Sequence, residues 1–113
     1  MEQIEEVEKF VENMIQDGDT NLKHIINFIG KISASPQIGF ANQVNALVMP
    51  KIAEGLNEIV NDWDKEEDKV DEQIKFLRDH KFELEAIAAY NKRNEMTNRR
   101  LKLQNFIRSN FSE

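Results

Sequence analysis

The sequence predicts an all-α protein, and three observations support this prediction. All four glycines and both prolines lie before Leu56, so the second half of the chain contains neither residue that breaks helices. Hydrophobic residues recur there every seven positions, as expected for an amphipathic helix: Leu56, Trp63, Val70, Leu77 and Leu84. With 40% hydrophobic and 32% charged residues, the composition suits a helical protein with a large surface relative to its core.

A helical hairpin is predicted at the N-terminus. Residues 2 to 16 carry hydrophobic side chains at helical spacing: Ile4, Val7, Val11 and Met14. Gly18 is typical of the position just after a helix. Asp19 or Thr20 can then cap a second helix that runs to about Ile32. The short connection indicates that the two helices are antiparallel.

The middle of the chain reads as a loop followed by a short third helix. Residues 33 to 39 form the predicted loop, and residues 40 to 49 form the helix. Pro50 either begins the next helix or kinks the existing one, because it cannot donate a backbone hydrogen bond to the preceding turn. Ile38 and Phe40 flank a glycine in this region. They are a candidate loop contact with a partner, and packing beneath the helices is the alternative.

The sequence indicates one domain, residues 1–113, in which short helices (1–49) precede a long amphipathic segment (50–113). A straight helix from Leu56 to Phe106 would measure about 75 Å, whereas each of the first three helices is shorter than about 25 Å. We find no turn signal at residues 79 to 81, so we expect one long helix that a second chain covers. The polar stretch from 91 to 98 is where we expect any bend.

A homodimer is the simplest way to cover such a helix. Residues 54–72 sum to −7 and residues 92–108 to +5, so we expect an antiparallel dimer in which the acidic block of one chain lies near the basic end of the other. Pairing of the basic end with the acidic first helix is the alternative. The hydrophobic residues predicted to form the dimer contact, called the seam below, are Leu56, Trp63, Val70, Ile74, Leu77, Leu84 and Ile87.

Four acidic residues at four-residue spacing form a row along one face of the long segment, called the acidic row below: Glu54, Glu58, Asp62 and Glu66. Such neighbours lie ~6 Å apart and repel each other. Two interpretations remain open. The acidic row either keeps the protein in solution, or it imitates the phosphates of a nucleic acid and binds a basic protein.

The basic segment also has two interpretations. Its principal residues are Lys92, Arg93, Arg99, Arg100 and Lys102. They either bind nucleic acid or pair with the acidic blocks of this protein. The net charge of −6 argues against general affinity for nucleic acid.

No catalytic, cofactor-binding or metal-binding residue is predicted. The chain has no cysteine, which excludes disulfides and thiolate sites, and its two histidines lie on different elements. His80 is interpreted either as a pH-sensitive polar layer of the seam or as a solvent-exposed side chain. The acidic N-terminus and the absence of a long apolar run predict a cytoplasmic protein without a signal peptide or membrane span.

These observations favour a non-enzymatic protein–protein interaction module, an adaptor, scaffold or inhibitor, that acts as a helical homodimer. The first alternative is an acidic inhibitor that mimics nucleic-acid charge, as a phage or mobile-element antagonist of host defence would. The second is nucleic-acid binding through residues 92–108.

Overall fold

The chain folds into helices in every part that the structure describes. The structure is a computed structural model that describes residues 2–33 and 48–111, with the side chains of residues 4–32 and 48–111. These ranges contain four helices and no strand, which confirms the all-α prediction: α1 (Glu2–Met14), α2 (Thr20–Ser33), α3 (Met49–Asp79) and α4 (Glu83–Phe111). The predicted loop, almost all of the predicted short third helix, and Ile38 and Phe40 lie outside the described residues.

The N-terminal helical hairpin forms as predicted. Gly18 has a φ of 90°, a left-handed conformation that glycine adopts without steric cost. The backbone oxygen of Asp19 accepts from the N–H of Lys23 at 3.1 Å, which starts α2. Its carboxylate turns back and accepts from the backbone N–H of Gln16 at 2.6 Å, so this side chain stabilises the turn between the helices.

The long C-terminal segment is two helices, and the prediction that one helix crosses residues 79–81 is wrong. The backbone N–H of Phe82 donates to Leu77 at 2.8 Å, and the N–H of Lys81 donates to Arg78 at 3.0 Å. These two bonds form a Schellman motif, in which the residue after the cap is left-handed and is usually glycine. Here that residue is Lys81, with a φ of 64°. Because this position carries a lysine and not a glycine, the sequence contains no signal for the turn.

The polar stretch from 91 to 98 does not break the helix, because α4 is continuous through it. The polar side chains there face α3 or solvent instead of interrupting the helix. Pro50 is the second residue of α3, in the first turn, where a backbone N–H has no partner within the helix. Its missing N–H therefore breaks no hydrogen bond, and Pro50 belongs to the start of the helix and does not kink it.

All four helices contribute to one hydrophobic core. The ring of Phe10 on α1 stacks on that of Phe106 on α4, with centroids 3.8 Å apart. The buried residues of this core are Ile4, Val7, Val11, Met14, Leu22, Ile29, Met49, Ile52, Leu56, Ile59, Val60, Leu103 and Ile107. Those on α3 and α4 all lie in the half of the α3–α4 hairpin that contains Met49 and Phe111.

The other half of the α3–α4 hairpin projects beyond α1 and α2. The connection between α1 and α2 lies beside Trp63, Glu66 and Lys92. From Glu66 to the end of α3 at Asp79 the hairpin continues for about 20 Å at ~1.5 Å per residue. Within residues 68–91 only Ile74 and Ala86 are buried. We call residues 74–90 the hairpin tip.

Replacing Lys81 with glycine should stabilise the protein. A non-glycine residue in the left-handed conformation costs roughly 1–2 kcal/mol, and the greater freedom of glycine in the unfolded chain offsets part of this gain. We therefore expect Lys81→Gly to raise the free energy of unfolding by about 0.5–1 kcal/mol, measured by urea denaturation.

Lys75→Gly is the matched control, because Lys75 is an exposed lysine inside α3. It should lower the free energy of unfolding by about 1 kcal/mol. A loss of stability in Lys81→Gly as large as in Lys75→Gly would contradict the proposed turn.

Candidate functional site

A buried carboxylate joins the two helices of the α3–α4 hairpin. Glu67 on α3 is only 2% exposed. One carboxylate oxygen accepts from Arg100 Nε, while the other accepts from the hydroxyl of Thr97 and, at 3.4 Å, from Arg100 Nη2. The hydrogen bond to Glu67 raises the pKa of Arg100, against the opposing effect of burial, and the negative charges of Glu67, Asp64 and Asp68 raise it further. Arg100 therefore stays charged, and the buried Glu67 carboxylate keeps its counter-charge.

A second arginine ties this hairpin to α1 and α2. Arg99 Nη2 donates to the backbone oxygen of Met14 at 2.7 Å and to the carboxylate of Asp19. The Met14 oxygen lies at the end of α1, where carbonyls have no partner within the helix. The Arg99 guanidinium carbon also lies 4.2 Å from the centroid of the Trp63 ring, a cation–π contact with α3. Arg99 on α4 thus contacts the last residue of α1, the residue just before α2 and the middle of α3.

The basic segment is largely paired within its own chain. Arg93 Nε donates to Asp71 at 2.9 Å, so three of the five residues named for this segment, Arg93, Arg99 and Arg100, bind carboxylates of α3 or of the α1–α2 connection. Lys92 and Lys102 are exposed. The predicted match between an acidic block and a basic end is therefore made inside one chain, because the chain turns back at Lys81.

The seam residues divide into two groups. Leu56 is fully buried in the core and Ile74 is buried between α3 and α4, while Trp63, Val70 and Leu77 are partly buried. By contrast, Leu84 is 80% exposed and Ile87 is 58% exposed. A dimer contact through Leu84 and Ile87, the exposed end of the seam, therefore stays a prediction. The side chain of Leu56 is not accessible to a partner.

The exposed end of the seam belongs to an apolar surface on the hairpin tip. Leu84, Ile87 and Tyr90 follow one another at three-residue spacing, so they form a strip along one side of α4. Tyr90 is 48% exposed, and Phe76 and Phe82 nearby are at least half exposed. Ile87 and Tyr90 also border a shallow recess of about 390 Å³, whose other lining residues are Arg78, Glu83 and Ala86. Single exposed apolar residues are common on proteins, but a concentration of them marks an interaction surface.

The acidic row is exposed along its whole length. All four carboxylates lie on the surface of α3, and within residues 4–32 and 48–111 none of them takes part in an ion pair. Glu66 borders a cleft of about 590 Å³ beside the α1–α2 connection, whose lining includes Trp63, Met96 and Arg99. The row is therefore accessible to a basic partner or to solvent alone, as both interpretations require.

The histidines lie at the surface. His80 Nδ1 is 2.8 Å from the backbone oxygen of Phe76, and its ring stacks on the ring of Phe76 at the end of α3. This is an exposed cap position, as the interpretation of His80 as a solvent-exposed side chain requires, and a polar layer between two copies stays a prediction. His24 is exposed on α2.

Within the described ranges, no group of three or more histidine, aspartate or glutamate side chains is placed to hold a metal ion. No helix in them combines the length and the apolar character needed to cross a membrane.

Sequence reasoning missed the residues that hold α3 and α4 together. A signal for them exists, because Glu67 lies four residues after Trp63 and three before Val70 and so belongs to the buried stripe of α3. On α4, the two partners of Glu67 belong to a polar stripe with the same helical spacing, which consists of Arg93, Thr97, Arg100 and Gln104. A polar stripe opposite a buried acid indicates a hairpin whose interface contains ion pairs.

Removing the buried carboxylate should destabilise the fold strongly. Glu67→Ala leaves Thr97 without its partner and Arg100 without its closest counter-charge, although Asp64 and Gln104 still lie within 3.8 and 3.2 Å of the guanidinium. We expect the free energy of unfolding to fall by about 2–4 kcal/mol, measured by chemical denaturation.

Glu66→Ala, at the adjacent exposed position, is the matched control and should change stability by no more than about 0.5 kcal/mol. The double variant Glu67→Leu with Arg100→Met should recover much of the loss, because it removes both buried charges together. Equal effects of Glu66→Ala and Glu67→Ala would show that the buried pair does not hold the hairpin.

Comparisons of this chain with protein-family models, with curated proteins and with solved structures gave no match. The most distinctive feature of the chain is a helical hairpin whose base is held by ion pairs of Arg99 and Arg100 and whose tip presents exposed apolar side chains.

Proposed function

We propose that this chain is a non-enzymatic, helical protein-interaction module that binds protein through its hairpin tip. The observation that carries the proposal is the strip of Leu84, Ile87 and Tyr90, which faces solvent in a part of the hairpin that α1 and α2 do not cover. The cytoplasmic location expected from the sequence belongs to the same proposal.

The energetics of the tip support this proposal. Helices in proteins gain most of their stability from packing of an apolar face, and residues 68–91 bury only Ile74 and Ala86. Covering a fully exposed leucine or isoleucine contributes about 1.5–3 kcal/mol per side chain. Tyrosine is also enriched among the residues that dominate binding energy at interfaces. A partner on this strip would therefore gain affinity and add packing that the single chain lacks.

Direct nucleic-acid binding through residues 92–108 has less support. Arg93, Arg99 and Arg100 already donate to carboxylates of this chain. Binding a phosphate would require them to leave these partners, and for Arg100 it would leave Glu67 buried without its counter-charge.

The acidic row favours a second candidate function, that of an acidic inhibitor that mimics nucleic-acid charge. Its support is that the four carboxylates stand along one helix face, exposed and outside any ion pair of the described residues. A basic groove that normally holds a phosphate backbone would be the complementary surface.

A photo-crosslinking amino acid at position 84 tests the leading proposal. In the source cells it should give a discrete protein adduct, because Leu84 is 80% exposed and belongs to the apolar strip. The matched control is the same amino acid at Asn61, an exposed α3 position far from the tip. Either a self-adduct or an adduct with another protein would support the proposal. The same adducts from both positions, or none from position 84, would refute it.

Charge reversal of the acidic row tests the second candidate. The triple variant Glu58→Lys, Asp62→Lys, Glu66→Lys should lose binding to a basic protein partner captured by the wild-type chain. Its melting temperature should stay nearly unchanged, because all three side chains are exposed and a surface substitution usually changes stability by no more than about 0.5 kcal/mol. Unchanged capture would leave the row with a solubilising role only.

A further inference from the structure

The net charge of the hairpin tip indicates which kind of protein can bind there. The tip carries equal numbers of basic and acidic side chains, so its net charge is zero: Lys75, Arg78 and Lys81 against Asp79, Glu83 and Glu85. The whole chain carries −6, so all of the net charge lies outside the tip. Two copies of the chain that approach through their tips therefore bring no net charge together.

The apolar recess of the tip has a basic side chain from one helix and an acidic side chain from the other. Arg78 of α3 and Glu83 of α4 both line it, together with Ile87 and Tyr90. Within the described residues neither Arg78 nor Glu83 is part of an ion pair. In a two-fold symmetric contact the same patch meets itself, so the basic groups of one copy can face the acidic groups of the other.

Resting on the function proposed above, we propose that the protein covering the hairpin tip is a second copy of this chain, bound tip to tip in a two-fold symmetric dimer. The strips of Leu84, Ile87 and Tyr90 of the two copies pack together at its centre. The charged side chains of the two tips surround this contact.

The acidic row favours the tip-to-tip arrangement over a parallel side-by-side one. Glu54 to Glu66 lie in the half of α3 away from the tip, and this half faces the same charges of the second copy if the hairpins pack side by side and parallel. When the chains point in opposite directions and overlap only at their tips, the two acidic rows lie far apart. The contact is small, so we expect a weak dimer at micromolar concentration.

Sedimentation velocity and small-angle scattering of the purified chain test the inference directly. With rising concentration we expect a dimer whose maximum dimension is well above the 62 Å extent of one chain. Leu84→Glu and Ile87→Glu should each weaken association at least about tenfold without lowering the melting temperature, because both positions are exposed in the single chain. Leu101→Glu, at an exposed leucine of α4 outside the tip, is the matched control and should dimerise normally.

A charge exchange tests whether the tips recognise each other. An acidic tip, Lys75→Glu with Arg78→Glu, and a basic tip, Glu83→Lys with Glu85→Lys, should each be monomeric alone. Mixed together, the two variants should form a heterodimer. Adding Leu84→Ser to both should abolish that heterodimer, which separates a packed contact from simple attraction between opposite charges.

The outcomes distinguish this inference from the function on which it rests. A chain that stays monomeric at high micromolar concentration, but whose position 84 crosslinks to another protein, overturns the second-copy inference and leaves the interaction module in place. A monomer without any adduct at position 84 overturns both. A dimer no longer than one chain overturns the tip-to-tip arrangement.

Discussion

The carboxylate of Glu67 lies almost out of contact with water between α3 and α4, where Arg100 and Thr97 supply its hydrogen bonds. Removing such a charge from water costs several kcal/mol, and only a well-placed counter-charge offsets this cost. Sliding one helix along the other by a turn would leave Glu67 buried without Arg100. The pair therefore sets the register of the hairpin. That register also places Arg93 opposite Asp71 and Arg99 over Trp63.

The same register determines which residues of α3 and α4 remain exposed to solvent. The base of the molecule packs four helices around one core, and the tip is two helices with two buried side chains between them. Local stability in proteins follows burial, so the base and the tip differ in how readily they open. Arg99 lies at the boundary, because it is the α4 residue that holds the end of α1 and the start of α2. The binding surface proposed on the tip thus adjoins a base that has a hydrophobic core of its own.

The sequence predicts the helices and most of the core, but it does not predict how the second half folds back. Ile4, Val7, Val11 and Met14 are all buried, as their spacing indicates. The turn at Lys81 escaped because a lysine occupies a position where glycine is usual, and the polar residues from 91 to 98 suggested a break that α4 does not have. Two of those polar residues, Arg93 and Thr97, lie on the side of α4 that meets α3. The sequence did not separate the buried start of the seam from its exposed end, since spacing alone cannot tell a buried leucine such as Leu56 from an exposed one such as Leu84.

Trp63 is the only tryptophan of the chain, and it lies beneath the guanidinium of Arg99 at the junction of the two hairpins. Its fluorescence therefore reports on one place, the docking of the α1–α2 connection onto α3 and α4. Trp63 lies about 24 Å along α3 from the end of that helix at Asp79, at ~1.5 Å per residue. Loss of the tertiary fold should change the emission strongly, whereas occupation of the distant tip should leave it nearly unchanged. The molecule thus contains a natural optical probe that separates folding from association in one experiment.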